Sequence, residues 1–484
     1  MGIVASQSFK NVIFTYLGFL IGAVNTLFLY TKFLGAEYYG LVGYVLSLAF
    51  VIMPLMAFGA NNTLVRFYSS FKTRISVNSF LTLMLFLPLA LIVPICLVTY
   101  CGYGIITGFL SEENTIIKGY LWHTIIIAIS LAYFEVFFAW AKVQMKTVFG
   151  NFMKEVFHRA GVMILLFMLY FNMVDAEQFM VGLVLVYVIR MVVMKIYAFG
   201  VRFPVIAFKH IPNLKSILQY SFLIIIAASV ASVLLDIDKV MLGYYVDIKQ
   251  IAYYNVAVFI AMVIAVPQRS MHQILMPLSA RFINENNITE LSDLYKRSSL
   301  TLFIVSGFIF LLIILNINEL YHFIPEEFNA AILVVLLIGL AKLYDAFLGS
   351  NNAILFNSNY YVAALMFGVV LVVFMIVLNI VLIPVYGING AAFGTFVAVF
   401  LYNSVKLYFV YKKFKILPFT VTALKTACLI LVIALSFYFW DFPFHPVWNI
   451  VLKSVLIGLC YFFVIHKFRF SENISSIFDR FVKL

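Results

Sequence analysis

Again and again along this chain an apolar run of roughly twenty residues passes with few or no charges, which is the length an α-helix needs to cross a hydrocarbon core of about 30 Å. The first run, Val12 to Tyr30, holds no charged residue, is too long for the apolar part of a signal peptide and leads straight into another, so it reads as a retained helix. The same length rule predicts fourteen spans, at 11–32, 38–61, 77–100, 119–141, 159–174, 178–199, 217–241, 252–275, 299–318, 329–350, 361–383, 388–411, 421–440 and 447–466. Composition agrees: 65% of residues are apolar and 11% charged, against about 45–50% and about 25% in a soluble domain. The 52 Phe and 29 Tyr suit helices that face lipid and meet headgroups. No series of short alternating segments marks a transmembrane β-barrel. The expected fold class is an all-α integral membrane protein.

Lys and Arg in the loops orient such a protein, because cytoplasmic loops carry the excess. With the N-terminus inside, the inner segments hold Lys10, the group Arg66, Lys72 and Arg74, then Lys142, Lys146, Lys154 and Arg159, then Lys195, Arg202, Lys209 and Lys215. Further along they hold Arg281, Lys296 and Arg297, then Lys406, Lys412, Lys413 and Lys415, and finally Lys467, Arg469, Arg480 and Lys483. The opposite loops carry only Lys32, Lys118 and Lys249, together with most loop acids: Glu112, Glu113, Asp175, Glu177, Asp247, Glu319, Glu326, Glu327 and Asp441. Both termini are thus expected in the cytoplasm. The net charge of +12 follows from this asymmetry and is spread over every inner loop, so it does not point to nucleic acid. The longest loop, about 277–298, contains a stretch from Ile288 to Arg297 with helical spacing, expected as a short amphipathic helix on the membrane surface.

An internal repeat joins Leu34-Gly35, Glu37, Tyr38-Tyr39 and Pro54 to Leu242-Gly243, Asp247, Tyr253-Tyr254 and Pro267. An even number of helices separates the copies, so the halves share an orientation, as in transporters whose path lies between parallel repeats. Chemistry-bearing motifs are missing. There is no Walker A sequence; Gly102, Gly104 and Gly108 have the wrong spacing. The seven His are scattered, and the four Cys form no CxxC or Cys/His group, so neither a metal nor a cofactor is expected. The Cys are read as buried thiols, with a Cys96–Cys101 disulfide the one pairing left open. Short loops leave no room for the catalytic domain of a polysaccharide polymerase, ligase or glycosyltransferase.

Charges inside the spans are expensive unless they face a wet cavity or a partner, which makes each a functional candidate. They are Glu135, Arg190, Asp236, Asp238 with Lys239, Arg269, and Lys342 with Asp345; Arg66 lies at the inner end of its span. Arg66, Arg190, Arg269 and Lys342 fall in the inner half of the membrane, where a group of cations suits capture of a diphosphate, since Arg offers phosphate oxygens a planar fork. Glu135, Asp236, Asp238 and Asp345 are candidates for coupling or gating. Structural readings stand beside these: snorkelling to the interface, a Glu135–Arg190 pair, Arg66 as an end anchor, and Asp238–Lys239 as an anchor where its span emerges.

Asn379-x-x-Leu382-Ile383-Pro384-x-Tyr386-Gly387-Ile388-x-Gly390-Ala391-Ala392-x-Gly394-Thr395 closely resembles a hallmark of polysaccharide flippases, the oligosaccharide-lipid branch of the multidrug/oligosaccharidyl-lipid/polysaccharide exporter superfamily. Two stretches add to the resemblance: Leu34 to Leu41 (LGAEYYGL) and Leu235 to Gly243 (LDIDKVMLG). It implies two six-helix bundles in a V around a central cavity, at 1–210 and 211–415, with two more helices and a cytoplasmic tail in 416–484. It implies transport, without enzymatic activity, of undecaprenyl-diphosphate-linked oligosaccharide repeat units from inner to outer leaflet of the bacterial cytoplasmic membrane, as in O-antigen, lipopolysaccharide and capsule synthesis. Partners would be that lipid-linked substrate, membrane lipid and other polysaccharide-assembly proteins, with an ion gradient as the driving force. A lipid II-type flippase, a cation-coupled multidrug exporter of the same superfamily and an enzyme of polysaccharide assembly remain as alternatives. Within the hallmark, Pro384 and Gly387 should end one helix and turn the chain, and Gly390 and Gly394 should let the next helix pack closely.

Overall fold

A backbone in lipid must satisfy its own hydrogen bonds, and a helix does so within one segment. The computed structural model describes residues 3–209, 211–440 and 442–470, with side chains from Lys10 onward, and among these residues there are helices and no strands. Asp441 and the expected cytoplasmic tail with Arg480 and Lys483 lie outside the described residues. Two units of chain separate, Met1–Ala252 and Tyr253–Leu484.

In the first unit α1 (Ile3–Val24) continues as a π-helix over Asn25–Leu34 and stops at Gly35, whose φ of 78° suits a residue without Cβ. Then come α2 (Ala36–Met56), α3 (Ala60–Phe67), α4 (Arg74–Phe86), α5 (Leu89–Cys101), α6 (Tyr103–Leu110) and α7 (Leu121–Lys142). α8 (Val148–Phe152), a π-helical turn over Met153–Phe157 and α9 (His158–Tyr170) make one helical run. α10 (Ala176–Val201) and the long α11 (Leu214–Tyr245) follow. α10 starts at a capping box: Gln178 N donates to Asp175 Oδ1 at 2.7 Å and Asp175 N to Gln178 Oε1 at 3.0 Å. α2 packs between α7 and α11, and α10 lies along α7 and α9. Aromatic and aliphatic side chains from α3, α4, α7 and α10, among them Phe80, Phe134, Trp140 and Met194, form the core.

α12 (Ile248–Met262) links the units. The second holds α13 (Val266–Asn284), α14 (Ile288–Leu315), α15 (Ile317–Tyr321), α16 (Ile332–Phe347), α17 (Asn351–Asn357), α18 (Tyr361–Phe414), α19 (Val421–Tyr438) and α20 (Pro446–Lys467). α14 is central, touching α13, α16, α19 and α20; Ile304, Leu311, Ile430, Ile457 and Tyr461 fill one core. Outer faces are apolar: Ile105 is 81% exposed and Val421 73%, surfaces that water would not tolerate in such number.

Twelve helices among the described residues are long and apolar enough to cross a membrane. The spans expected at 361–383 and 388–411 both lie in α18, which bends at Gly387 (φ 55°, ψ −133°). The hallmark is a fold motif. A Cβ on Gly390 would overlap the Leu382 carbonyl, and one on Gly394 would sit 3.1 Å from Asn379 Oδ1, so the second limb closes tightly on the first.

Several expectations are corrected. Ile288–Arg297 is no separate surface helix: with Asn287 accepting from Glu290 N, it forms the first turns of α14, and Leu291 and Tyr295 are buried against Ile354, Leu355 and Val410. The two face inward because they stand four apart on one helix face. Lys154 and Arg159, expected in a loop, lie on the helical run that ends in α9. The repeated glycines differ, since Gly35 breaks a helix while Gly243 lies inside α11, where the Tyr44 ring occupies the space a Cβ would need. All four Cys are free, and Cys101, Cys428 and Cys460 are exposed on outward helix faces. α11 packs along α2 and α3.

Gly387 lies where side chains are strained. Gly387→Ala should lower stability by roughly 1–3 kcal/mol, read as an earlier thermal unfolding transition in detergent. Gly104→Ala, where a Cβ meets nothing within 4 Å, should leave the transition in place.

Candidate functional site

Polar side chains inside the spans gather in two places, one in each unit. In the first, α10 buries a stripe of Phe179, Leu183, Tyr187, Arg190, Met194 and Ala198, and the spacing carries Arg190 inward with its apolar neighbours. Arg190 is 4% exposed, its Cζ 3.8 Å from the centre of the Phe134 ring and 5.9 Å from that of Tyr187. Its Nε has no acceptor, and no carboxylate comes within ion-pair distance among the described residues. The Glu135–Arg190 pair, one of the structural readings, is not formed at ion-pair distance. Glu135 takes Lys154 Nζ at 2.6 Å, because the π-helical turn 153–157 swings Lys154 toward α7. The same turn packs on α1. A Cβ on Gly18 would overlap the Glu155 carbonyl, Asn25 Nδ2 donates to the Arg159 carbonyl at 2.8 Å, and Arg159 bonds Glu155 at 3.1 Å. His158 lies 5.9 Å ring to ring from Tyr187 and leaves Nδ1 unpartnered. π-Helical turns are rare and tend to mark functional places.

Arg66 is exposed on α3 with its guanidinium 4.3 Å from the Tyr220 ring of α11. On α11, Asp236 is held by Lys239 Nζ at 2.8 Å and by Ser47 Oγ of α2 at 3.0 Å, while Asp238 is buried. Lys239 therefore serves Asp236, one turn back, and the adjacent Asp238 faces elsewhere.

In the second unit Asp345 of α16 sits between two amides. Gln268 Nε2 of α13 donates at 3.0 Å to Oδ2, and Asn403 Nδ2 of α18 at 3.2 Å to Oδ1. Lys342 is half-buried one turn earlier on α16. Next to Gln268, Arg269 is turned by roughly 100° about the helix axis and is exposed, with Nη2 4.0 Å from Met262 Sδ. Lys406, counted among the inner cations near the end of the span 388–411, is 2% exposed on α18, donating to Asn352 Oδ1 at 2.7 Å and lying 4.0 Å from the centre of the Tyr402 ring. Sequence length rules missed it because it falls near the end of an apolar run. The signal was there: Ala398, Asn403, Lys406 and Val410 form one buried stripe. Glu319, expected in an outer loop, is also buried, accepting from Asn449 Nδ2 at 2.8 Å.

The arrangement can hold anions: Arg190 is a buried cation with no carboxylate at ion-pair distance, and Arg269 and Arg66 are open ones. The family described as polysaccharide biosynthesis protein matches residues 6–282, more than half of the chain. The chain belongs to that family. The structure of this family member resembles that of a lipid II flippase, MurJ, in an inward-closed conformation, with a TM-score of 0.73 at 15% identity over 98% of this chain and 99% of that one. It also resembles an inward-facing multidrug-resistance MATE transporter of the MOP superfamily, with a TM-score of 0.63 at 13% identity over 84% of this chain and 98% of that one. At these identities the likeness is one of fold. No curated protein matches the sequence.

Glu135 and Lys154 form a short, partly buried pair, so each should depend on the other. Glu135→Gln and Lys154→Met should each lower the melting temperature in detergent, and the double variant should lose less than the two together, by a coupling of about 1 kcal/mol. Strict additivity would mean that the 2.6 Å contact contributes nothing.

Proposed function

We propose that this protein is a flippase that carries undecaprenyl-diphosphate-linked oligosaccharide repeat units from the inner to the outer leaflet of the bacterial cytoplasmic membrane, by alternating access and at the expense of an ion gradient. One observation carries the reading: a member of a polysaccharide biosynthesis family has its described residues in apolar helices and short connections, with no domain outside them. Synthesis of a polysaccharide from lipid-linked units needs catalytic domains for assembly and a passage for the units. A chain made of membrane helices suits the passage. The fold shared with a lipid II flippase along nearly the whole chain supports the same reading.

In this proposal the chain crosses fourteen times, α18 counting twice about Gly387 and the run Val148–Tyr170 once, with both termini cytoplasmic. The working division is 1–210, 211–415 and 416–484. The diphosphate bears about two negative charges, and an isolated ion costs tens of kcal/mol in hydrocarbon. It is also the constant part of a substrate whose sugars vary. Arg269, Arg190, Arg66 and Lys342 are its proposed contacts; Arg190 is supported by its burial without a carboxylate, and Arg269 by its exposure next to the Gln268–Asp345 link. Glu135, Asp236, Asp238 and Asp345 are proposed for coupling and gating, since each sits inside a span. A second reading, a lipid II-type substrate, draws on the MurJ-like fold and keeps the same diphosphate handle.

In a host lacking its own repeat-unit flippase, the wild-type chain should restore surface polysaccharide. Arg269→Ala should abolish that export with the membrane level of the protein unchanged. Arg269→Lys should be partly active, keeping the charge and losing the fork. Full-rate export by Arg269→Ala would place the capture site elsewhere.

A further inference from the structure

The helices that carry most of the two motif stretches, α2 and α11, pack on each other, and the residue that holds the junction after α11 was singled out by no motif. Asn114 follows the acidic pair Glu112-Glu113 and is buried. Its Nδ2 donates to the Gly243 and Val246 carbonyls, each at 2.8 Å, and its Oδ1 accepts from Ile248 N at 2.8 Å. One side chain thus caps the end of α11 and the start of α12 together, groups that helix ends leave without partners. Around this clasp the backbones are close. A Cβ on Gly40 of α2 would overlap the Ile248 carbonyl, and the Tyr44 ring fills the space over Gly243. Two turns further into α11, Ser47 Oγ of α2 reaches Asp236, which Lys239 also holds.

We propose that Asn114 is a positioning residue for transport: its amide ties the loop before α7 to the α11–α12 junction, which lies on α2 at Gly40 and Tyr44, and so keeps that end of the α2–α11 contact closed to water. The inference rests on the proposed flippase reading for its meaning and on the charge rule for its side, the acidic loops marking the outer face. Passage of a headgroup outward needs that contact to part, and a neutral amide suits the task. It is satisfied in the closed arrangement by three bonds and, once exposed, is satisfied by water, whereas an ion pair at this place would be harder to re-form in changing salt. Gly40 and Gly243 act in the same device, because any side chain there would hold the helices apart.

The test uses the full chain with its four native cysteines replaced by serine and a probe cysteine at Ser47→Cys, a buried position on the α2 side of the contact. A membrane-impermeant maleimide is added from outside, with no lipid-linked substrate present. Labelling should be slow, and Asn114→Ala should speed it by about tenfold, since each lost hydrogen bond shifts a two-state balance several-fold. Asn114→Asp keeps the acceptor for Ile248 N and loses both donors, and it should be sped nearly as much. The native-cysteine chain gives a second reading: deuterium uptake in the peptide containing residues 243–252 should accelerate in Asn114→Ala and remain slow elsewhere in α11. A labelling rate and an uptake rate both unmoved by Asn114→Ala would overturn the proposal. Export by the wild-type chain, scored separately, bears on the flippase reading alone.

Discussion

Hydrocarbon offers no hydrogen bonds, so every polar group that this chain carries into the membrane must find its partner within the protein. The backbone meets that demand with helices, and where helices end, side chains step in: the Asp175–Gln178 box at α10 and Asn114 at the α11–α12 junction. Ionic side chains obey the same rule. Glu135 has Lys154, Asp236 has Lys239 and Ser47, Asp345 has two amides, and Lys406 has Asn352 and the face of Tyr402. Most charges inside the spans are therefore accounted for by neighbours, and the exception is informative. Arg190 is buried against the Phe134 and Tyr187 rings, its Nε has no acceptor, and no carboxylate lies at ion-pair distance among the described residues.

Aromatic contact stabilises a guanidinium by about 0.5–2 kcal/mol, well short of what a desolvated cation requires. An anionic group arriving from outside the protein would complete the environment. In the proposed function that group is the lipid diphosphate.

The helices themselves were legible because lipid imposes one length and one polarity on each crossing. The bend in α18 was legible too, since Pro384 and Gly387 are residues whose backbone preferences leave few alternatives. Partner choice was not. Sequence allowed Glu135 to pair with Arg190, but a π-helical turn, which no periodicity announces, delivers Lys154 instead. Lys406 and Glu319 stand near the ends of apolar runs, and only their register with Ala398 and with Asn449 shows that they face inward. Ile288–Arg297 has the amphipathic spacing of a surface helix, and a buried face against α17 gives the same spacing. Contacts across helices, such as Asn114 with residues more than 120 positions away, leave no trace in local pattern at all.

The central claim is that these helices pass a lipid-linked oligosaccharide through a bilayer. Purified protein reconstituted into vesicles containing undecaprenyl-diphosphate oligosaccharide, labelled on the sugar, measures this directly, with an impermeant glycosidase reporting which leaflet holds the label. The account predicts protein-dependent movement of the sugar between leaflets, faster under an imposed ion gradient and lost in Arg269→Ala. Vesicles that transport an organic cation while the labelled sugar stays in its original leaflet would contradict it.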